Sequence, residues 1–172
     1  MNYKDQLYNA RKFAIEKHNG QHYGIYPYEI HLGNVVSILM RFSILPTNQE
    51  NTDILISAWL HDILEDTTVS IEELEKKFGK KITEIVFSLT DGEGKNREER
   101  KNSMYNKLIH NQAGIIVKLA DRIANVEFCL IQNNKKLYEM YQKEQPKFQQ
   151  IISSKMNTEL ANSLLIYLKT LL

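Results

Sequence analysis

The chain contains few of the residues that interrupt helices. Only seven glycines and three prolines occur among its 172 residues, and the segments between them carry apolar residues at the spacing of a helix rather than of a strand. A capping pair, Ser70 and Glu73, indicates a short helix that ends near Phe78. The pattern predicts an all-α bundle of about eight to ten helices. The longer ones are expected over about 4–17, 28–42, 51–64, 81–89, 97–109 and 113–131.

The breaks between these helices fall at residues that are common in turns. Gly20 is placed to end the first helix in a left-handed cap, and a loop is expected over 21–27. A second, flexible loop is expected over 91–94. About two or three further helices are expected to close the chain, with Pro146 and Asn157 near their starts.

Size and charge exclude several classes of protein. A chain with 42% hydrophobic and 25% charged residues is typical of one soluble domain, here residues 1–172. The net charge of +1 gives no field that would attract nucleic acid or an anionic membrane, and no stretch reaches the roughly 18 apolar residues of a membrane span. The single cysteine, Cys129, excludes an internal disulfide, and the first residues open no signal peptide. We therefore expect a cytoplasmic protein, and the sequence leaves open whether it forms a homo-oligomer.

The hexapeptide 61–66, His-Asp-Ile-Leu-Glu-Asp, is the segment most informative about function. It places one imidazole and three carboxylates in an otherwise apolar stretch, where charges are costly unless they pair or bind a cation. Residues three or four apart share a helix face, so His61 and Asp62 are expected near Glu65 and Asp66. The pattern offers two candidate metal ligands beside two candidate acid–base groups. A plain helix end with a solvated acidic turn would carry the same residues.

A second polar pair lies within the apolar segment 113–131. Asp121 and Asn125 are four residues apart and so share one face of the predicted helix. Asp121 needs a partner there, and a salt bridge to Lys118 or Arg122 would supply one. The alternative is that Asp121 is a metal ligand.

Four side chains on three predicted helices are candidates to bind one cation. They are His31, His61, Asp62 and Asp121. Imidazole with carboxylate suits Mn²⁺, Fe²⁺ or Zn²⁺, and the lack of thiolates in the set argues against a closed structural zinc site. Adjacent helical residues diverge by about 100°, so His61 and Asp62 can share an ion only if it lies off the helix surface. A metal bound there would activate water, with the two acidic residues that follow as general acid–base or water-orienting groups.

These motifs resemble those of the HD superfamily of metal-dependent phosphohydrolases, which carry a separate His, then His-Asp, then a distant Asp. More narrowly, the chain is similar to guanosine tetraphosphate (ppGpp) hydrolases of the Rel/SpoT and Mesh1 type. The resemblance covers residues 10–130, and residues 131–172 would add C-terminal helices. The matching segments are Ala10–Ala14 with His18–Gln21, Pro27–His31, Ala58–Thr67, Phe78–Gly79, Leu89–Asp91, and Val117–Arg122 with Asn125.

The resemblance implies a role for each matched residue. One metal ion, usually Mn²⁺ in this family, would be held by His31, His61, Asp62 and Asp121. Glu65 and Asp66 match the catalytic acidic pair, and Lys118 and Asn125 match residues beside the substrate, with Asn125 at the ribose. The implied reaction is hydrolysis of a small nucleotide substrate that releases the 3′-pyrophosphate of a guanosine alarmone.

The loop 22–27 departs from the family pattern. Relatives usually carry a basic Arg-Lys pair and several extra residues here, which help to hold the purine and the phosphates, whereas this loop is shorter and more aromatic. Tyr23 could stack on a base instead. Elsewhere, Arg100 and Lys118 are the favoured phosphate contacts, since arginine suits bidentate binding. Because basic residues in the segment 95–101 alternate with glutamates, a solvated helix face is the alternative for Arg100.

Three functional hypotheses follow. The first is a metal-dependent hydrolase of guanosine tetraphosphate or a relative. The second keeps the fold and the metal but changes the substrate, giving a 5′-nucleotidase or another phosphomonoesterase, and the short loop 22–27 motivates it. The third is a nucleotide sensor without activity, which the complete metal and acid–base sets disfavour.

Overall fold

Residues 2–172 are described by the structure, a computed structural model, and they form ten helices and one small hairpin. The helices are α1 (Tyr3–Lys17), α2 (Glu29–Arg41), α3 (Gln49–Leu60), α4 (Ile63–Asp66), α5 (Ile71–Phe78), α6 (Lys80–Leu89), α7 (Arg97–Leu108), α8 (Gln112–Ile131), α9 (Lys135–Ser153) and α10 (Glu159–Leu171). The strands are β1 (His22–Tyr23) and β2 (Tyr26–Pro27). The prediction of an all-α fold is confirmed.

The segment predicted as a loop over 21–27 is instead an antiparallel hairpin, in which Tyr23 pairs with Tyr26. Gly24 begins the turn with a φ of +63°, which favours glycine and is common in two-residue hairpin turns. A Cβ at this position would lie 3.1 Å from Cζ of Phe128. The hairpin therefore closes tightly against α8. Strands of two residues are too short to give a recognisable alternation in the sequence.

The helix predicted over 51–64 is wrong in one respect, because it is two helices. α3 ends at Leu60, and α4 begins at Ile63. Between them Asp62 has φ −99° and ψ 1°, outside the helical region. The apolar pattern continues through the break, so periodicity could not reveal it.

The placement of Pro146 near a helix start is also wrong, since it lies inside α9. An internal proline removes one helical hydrogen bond and usually kinks or ends a helix. Here Arg122 of α8 holds α9 on both sides of the proline. Its guanidinium donates to the carbonyl of Tyr141 and to Oε1 of Gln145, and it lies 4.8 Å from the ring centre of Phe148.

The helix α8 is the centre of the bundle. It packs against α2, α3, α9 and α10, and its apolar residues are buried almost all round, as expected of a central helix. Asn111 caps its start by accepting a hydrogen bond from the amide of Gly114 at 2.9 Å. Within residues 2–172 no helix has both the length and the apolar character needed to cross a bilayer. The packing of α2 and α3 on α8 brings together His31 of α2, His61 at the end of α3 and Asp121 of α8.

Candidate metal centre and adjoining cavity

The imidazoles of His31 on α2 and His61 at the end of α3 face the carboxylates of Asp62 and of Asp121 on α8. The Nε2 atoms of the two histidines are 3.2 Å apart. His31 Nε2 lies 3.3 Å from Asp121 Oδ1 and 3.5 Å from Asp62 Oδ2, while His61 Nε2 lies 2.9 Å from Asp62 Oδ2 and 3.7 Å from Asp121 Oδ1. The four side chains predicted from the sequence to approach one another therefore do so.

The separations suit a shared cation. Ligand atoms about 2.1 Å from one ion stand about 3.0–3.5 Å from each other in tetrahedral or octahedral geometry, close to the distances observed here. His31, His61 and Asp121 are buried, so the cluster is held away from competing solvent. The donor set, two imidazoles and two carboxylates without a thiolate, fits a divalent first-row metal ion.

Without a cation the cluster would have to hold protons. Burial opposes protonation of His61, but Asp62 and Asp121 outweigh it and raise its pKa to about 10. Burial also opposes ionisation of Asp121, yet Lys118 and the two histidines hold the pKa of Asp121 well below its usual range. Asp62 and Asp121 thus stay ionised, and their negative charge must be balanced by positive charge within the cluster.

The two imidazoles are oriented in different ways. Nδ1 of His61 donates to the carbonyl of Ala58 at 2.8 Å, which leaves Nε2 free to act as a ligand. Nδ1 of His31 is buried and has no hydrogen-bond partner among the described residues. The ring of His31 instead packs against the rings of Tyr23 and Tyr28, with centroids 4.7 and 5.5 Å away.

Asp121 has both of the environments considered from its sequence. Its Oδ2 pairs with Nζ of Lys118 at 3.0 Å, as the salt-bridge alternative required. Its Oδ1 faces the histidines and accepts a hydrogen bond from Nδ2 of Asn125 at 2.6 Å. The salt bridge and the metal-ligand geometry therefore coexist on the two oxygens of one carboxylate.

A polar cavity of about 120 Å³ opens beside this cluster. Asp62 and Asp121 form one end, and basic side chains line much of the remainder. Its lining residues are Asp62, Glu65, Asp91, Arg97, Lys101, Met104, Tyr105, Lys118, Asp121, Arg122, Asn125, Tyr141 and Phe148. Four cations and four carboxylates thus meet in one small volume, an arrangement typical of a site for a charged ligand.

The two residues of the acidic pair point in different directions. Glu65 lines the cavity, and its Oε2 accepts a hydrogen bond from the amide of Asp91 at 3.0 Å. Burial raises the pKa of Glu65. Asp66 does not line the cavity, and its Oδ2 lies 3.2 Å from the hydroxyl oxygen of Tyr28. Only Glu65 therefore faces the space next to the metal cluster.

Arg100 and Tyr23, the other two expected substrate contacts, are outside the cavity lining. Nε of Arg100 lies 3.9 Å from Oδ2 of Asp91, and its half-exposed side chain is outside the cavity lining. The Tyr23 ring packs against His31 and Phe128, and its hydroxyl donates to Oδ1 of Asn125 at 2.8 Å. The structure thus places Tyr23 beside the metal cluster and Asn125, and its stacking on a base stays a prediction.

The cavity has a basic wall whose main members sequence reasoning did not favour. Arg97, Lys101 and Arg122 all contact the carboxylate of Glu144, at 3.2, 2.7 and 3.4 Å. Three cations share one carboxylate, so the wall keeps an excess of positive charge. Arg97 and Lys101 belong to the same run as Arg100, and a run of charges on one predicted helix does not reveal which members face inward.

Comparison with known proteins agrees with this geometry. The family model of the HD domain matches residues 10–151. The chain belongs to the HD domain family. Within it, the chain is of the Mesh1/SpoT type.

Several curated relatives are guanosine-3′,5′-bis(diphosphate) 3′-pyrophosphohydrolases. The one from Aquifex aeolicus is 35% identical over 129 residues, which make up 72% of this chain but 18% of that protein. The MESH1 protein of Drosophila melanogaster is 33% identical over 101 residues, 58% of this chain and 54% of that protein. MESH1 of Homo sapiens is 34% identical over 128 residues, 70% of this chain and 68% of that protein. The chain thus spans about a fifth of the bacterial relative and about two thirds of the human one.

One solved structure matches along nearly the whole chain. It was described as a metazoan ortholog of SpoT that hydrolyzes ppGpp and plays a role in starvation responses. The TM-score is 0.74 at 25% identity, and the match covers 97% of both chains.

Proposed function

We propose that this protein is a metal-dependent nucleotide hydrolase that releases the 3′-pyrophosphate of guanosine tetra- or pentaphosphate or of a related nucleotide. One observation carries the proposal: four donor atoms from α2, the α3–α4 junction and α8 converge at one end of a cavity that has a basic wall. The relatives named as ppGpp pyrophosphohydrolases support the choice of substrate.

The proposed metal ligands are His31, His61, Asp62 and Asp121. Mn²⁺ is the proposed ion, and Fe²⁺ or Zn²⁺ would suit the same nitrogen and oxygen donors. When bound, such an ion supplies Lewis-acid chemistry: it lowers the pKa of water and polarises a phosphoryl oxygen. The four side chains would hold the ion at one end of the cavity.

Glu65 is the proposed general acid–base group, and Asp66 the second carboxylate of the pair. Glu65 faces the cavity, and burial brings its pKa nearer to neutrality, which suits proton transfer. Asp66 contacts Tyr28, which in turn contacts Asp62. We therefore assign the proton transfer to Glu65 and a supporting electrostatic role to Asp66.

The phosphate groups of the substrate are proposed to bind along the basic wall. Lys118 lies next to the metal ligands, and Lys101 and Arg97 continue the positive charge away from them. Asn125 also lines the cavity and stays in the proposal as a neighbour of the substrate. A cavity of about 120 Å³ takes phosphate groups, so the nucleoside would lie at its opening.

A phosphomonoesterase acting on 5′-nucleotides is the second candidate. The short hairpin 22–27 favours it, because the hairpin carries no Arg-Lys pair and its Tyr23 is already bonded to Asn125. A site built in this way has fewer contacts for a guanine base than the family pattern implies.

A substrate panel tests the proposal. The purified protein is incubated with Mn²⁺ and either guanosine tetraphosphate or nucleoside 5′-monophosphates, and the products are identified by mass spectrometry. We expect GDP and pyrophosphate from guanosine tetraphosphate, and formation slower by about 10²- to 10⁴-fold with the variant Glu65→Gln, which controls for contaminating phosphatases. Turnover of the monophosphates alone would support the second candidate. No turnover of any nucleotide with Mn²⁺, Fe²⁺ or Zn²⁺ would instead indicate a sensor.

A further inference from the structure

Two tyrosines bracket the hairpin and contact the metal cluster from the same side. Tyr23 lies in β1, and Tyr28 follows β2 directly. We propose that Tyr23 and Tyr28 are positioning residues of the metal centre, and that together they hold three of its four ligands. The proposal rests on the metal site of the proposed function, but not on the identity of the substrate.

Tyr28 acts directly on Asp62. Its hydroxyl donates to Oδ2 of Asp62 at 2.5 Å, and this is the same oxygen that faces His61 at 2.9 Å and His31 at 3.5 Å. A hydrogen bond to that oxygen fixes the rotation of the carboxylate. The backbone of Asp62 is held by α4, since its carbonyl accepts hydrogen bonds from the amides of Glu65 and Asp66 at 3.1 and 2.9 Å, but these bonds do not fix the rotation of its side chain. The hydroxyl of Tyr28 restrains the carboxylate itself.

Tyr23 acts on Asp121 through Asn125. The hydroxyl of Tyr23 donates to Oδ1 of Asn125 at 2.8 Å, and Nδ2 of the same amide donates to Oδ1 of Asp121 at 2.6 Å. An amide has one accepting and one donating end. The oxygens of Asp121, which can only accept, fix the donating end of the amide toward them, through Oδ1 and the backbone carbonyl at 3.0 Å. The Tyr23 hydroxyl holds the accepting end, so the amide keeps its place beside the carboxylate oxygen that faces both histidines.

Both tyrosine rings also orient His31. Its Nδ1 has no hydrogen-bond partner among the described residues, whereas a metal-binding histidine usually donates from its second nitrogen. The ring centroids of Tyr23 and Tyr28 lie 4.7 and 5.5 Å from that of His31. Packing against these rings takes the place of the usual hydrogen bond.

The tyrosines are themselves anchored to the bundle. Tyr28 stacks on His18 at the end of α1, with centroids 4.8 Å apart, and Tyr23 packs on Phe128 of α8 at 4.0 Å. The close approach of Gly24 to Phe128 keeps the hairpin against α8. The hairpin thus transmits the position of two helices to the metal ligands.

The test uses variants that remove one oxygen and keep the ring. Tyr28→Phe and Tyr23→Phe are compared with Tyr26→Phe, a matched control on the same hairpin, because the hydroxyl of Tyr26 makes no hydrogen bond to the described residues. The dissociation constant for Mn²⁺ is measured without substrate, from the electron paramagnetic resonance signal of the free ion. Melting temperatures without metal check that each variant folds.

We expect Tyr28→Phe to weaken Mn²⁺ binding by about 10- to 100-fold, as loss of a ligand's hydrogen-bond partner typically does. Tyr23→Phe should weaken it less, because it acts through an amide, and Tyr26→Phe should leave it unchanged. Folded Tyr23→Phe and Tyr28→Phe variants that bind Mn²⁺ as tightly as the wild type, or more tightly, would overturn the proposal.

A double-mutant cycle tests the relay through the amide. Because Tyr23 and Asn125 act in series, Tyr23→Phe should have no further effect on Mn²⁺ affinity in the background of Asn125→Ala. Two fully additive losses would show that Tyr23 acts by another route. If the wild type binds Mn²⁺, the phenylalanine variants bind it weakly and no nucleotide is hydrolysed, only the proposed function fails.

Discussion

Oδ2 of Asp62 lies 2.9 Å from Nε2 of His61, its neighbour in the chain. Adjacent residues of an unbroken helix point about 100° apart, and such a contact would be strained. The chain avoids the problem by ending α3 at Leu60 and beginning α4 at Ile63. The break lets two consecutive residues present ligand atoms to the same point in space.

Removal of either residue should abolish metal binding and activity together. We expect His61→Ala and Asp62→Ala to bind Mn²⁺ too weakly to detect by titration calorimetry and to lose turnover in parallel, because each removes a donor from a set of four. Asp53→Asn is a suitable control, since Asp53 is a buried carboxylate on α3 that pairs with Lys81 rather than with the cluster. Full activity in either alanine variant would contradict the ligand assignment.

Loss of Glu65 should separate chemistry from binding. Glu65→Gln removes the proposed proton-transfer group but no metal ligand, so we expect kcat to fall by about 10²- to 10⁴-fold while the Mn²⁺ dissociation constant stays the same. The variant Glu75→Gln, at an exposed residue of α5, controls for the loss of one negative charge. Steady-state kinetics and metal titration on the same preparations make the comparison.

The pH dependence of kcat provides a further check on Glu65. An ordinary glutamate has a pKa of about 4.3, and burial raises that of Glu65. If the ionised form is the active one, kcat at saturating Mn²⁺ should begin to fall at a pH above the pKa range of an ordinary glutamate. A fall of kcat that occurs only within or below the pKa range of an ordinary glutamate would contradict the effect of burial.

The basic wall should act on substrate binding in a residue-specific way. Lys101 lines the cavity and Arg100 does not, although they are neighbours in sequence. We therefore expect Lys101→Gln to raise KM for guanosine tetraphosphate by about 10-fold or more, the scale of a lost charged hydrogen bond, while Arg100→Gln changes KM little. Equal effects of the two variants would show that the substrate does not enter along this wall.

The ion pairs of Glu144 should make the packing of α7 against α9 less stable in acid. Burial raises the pKa of Glu144, but Lys101 and Arg97 outweigh it and hold the pKa below its ordinary value. A carboxyl with a lowered pKa in the folded state stabilises the fold above its unfolded pKa, and this stabilisation disappears as pH falls through the folded pKa. The difference in melting temperature between wild type and Glu144→Gln should therefore be largest near neutral pH and shrink below about pH 4. Calorimetry at several pH values measures it, and a difference that grows in acid would contradict the ion-pair account.

Much of the fold could be predicted from the sequence because its helices carry clear apolar periodicity. The exceptions are positions where tertiary contacts override a local rule. Pro146 is tolerated within α9 because Arg122 binds on both sides of it. The hairpin at 22–27 gave no periodic signal, and the break at Asp62 lies in a continuous apolar pattern.

In the candidate site, too, some features could be predicted from the sequence and others depend on tertiary contacts. The convergence of His31, His61 and Asp121 was predictable, because buried polar groups on apolar helices need partners. The choice between Arg100 and Lys101 was not, since it depends on how α7 is rotated against α9. The hydroxyl of Tyr28, three residues before His31, could have been noticed only as a polar group at helical spacing from a candidate ligand.

We propose that one divalent cation is shared by His31, His61, Asp62 and Asp121. Anomalous diffraction at the manganese edge, from crystals grown with Mn²⁺, tests it most directly. We expect one strong peak per chain, within bonding distance of all four side chains and facing the cavity. A peak bound elsewhere, or no peak in a protein whose four side chains keep the arrangement described here, would contradict it.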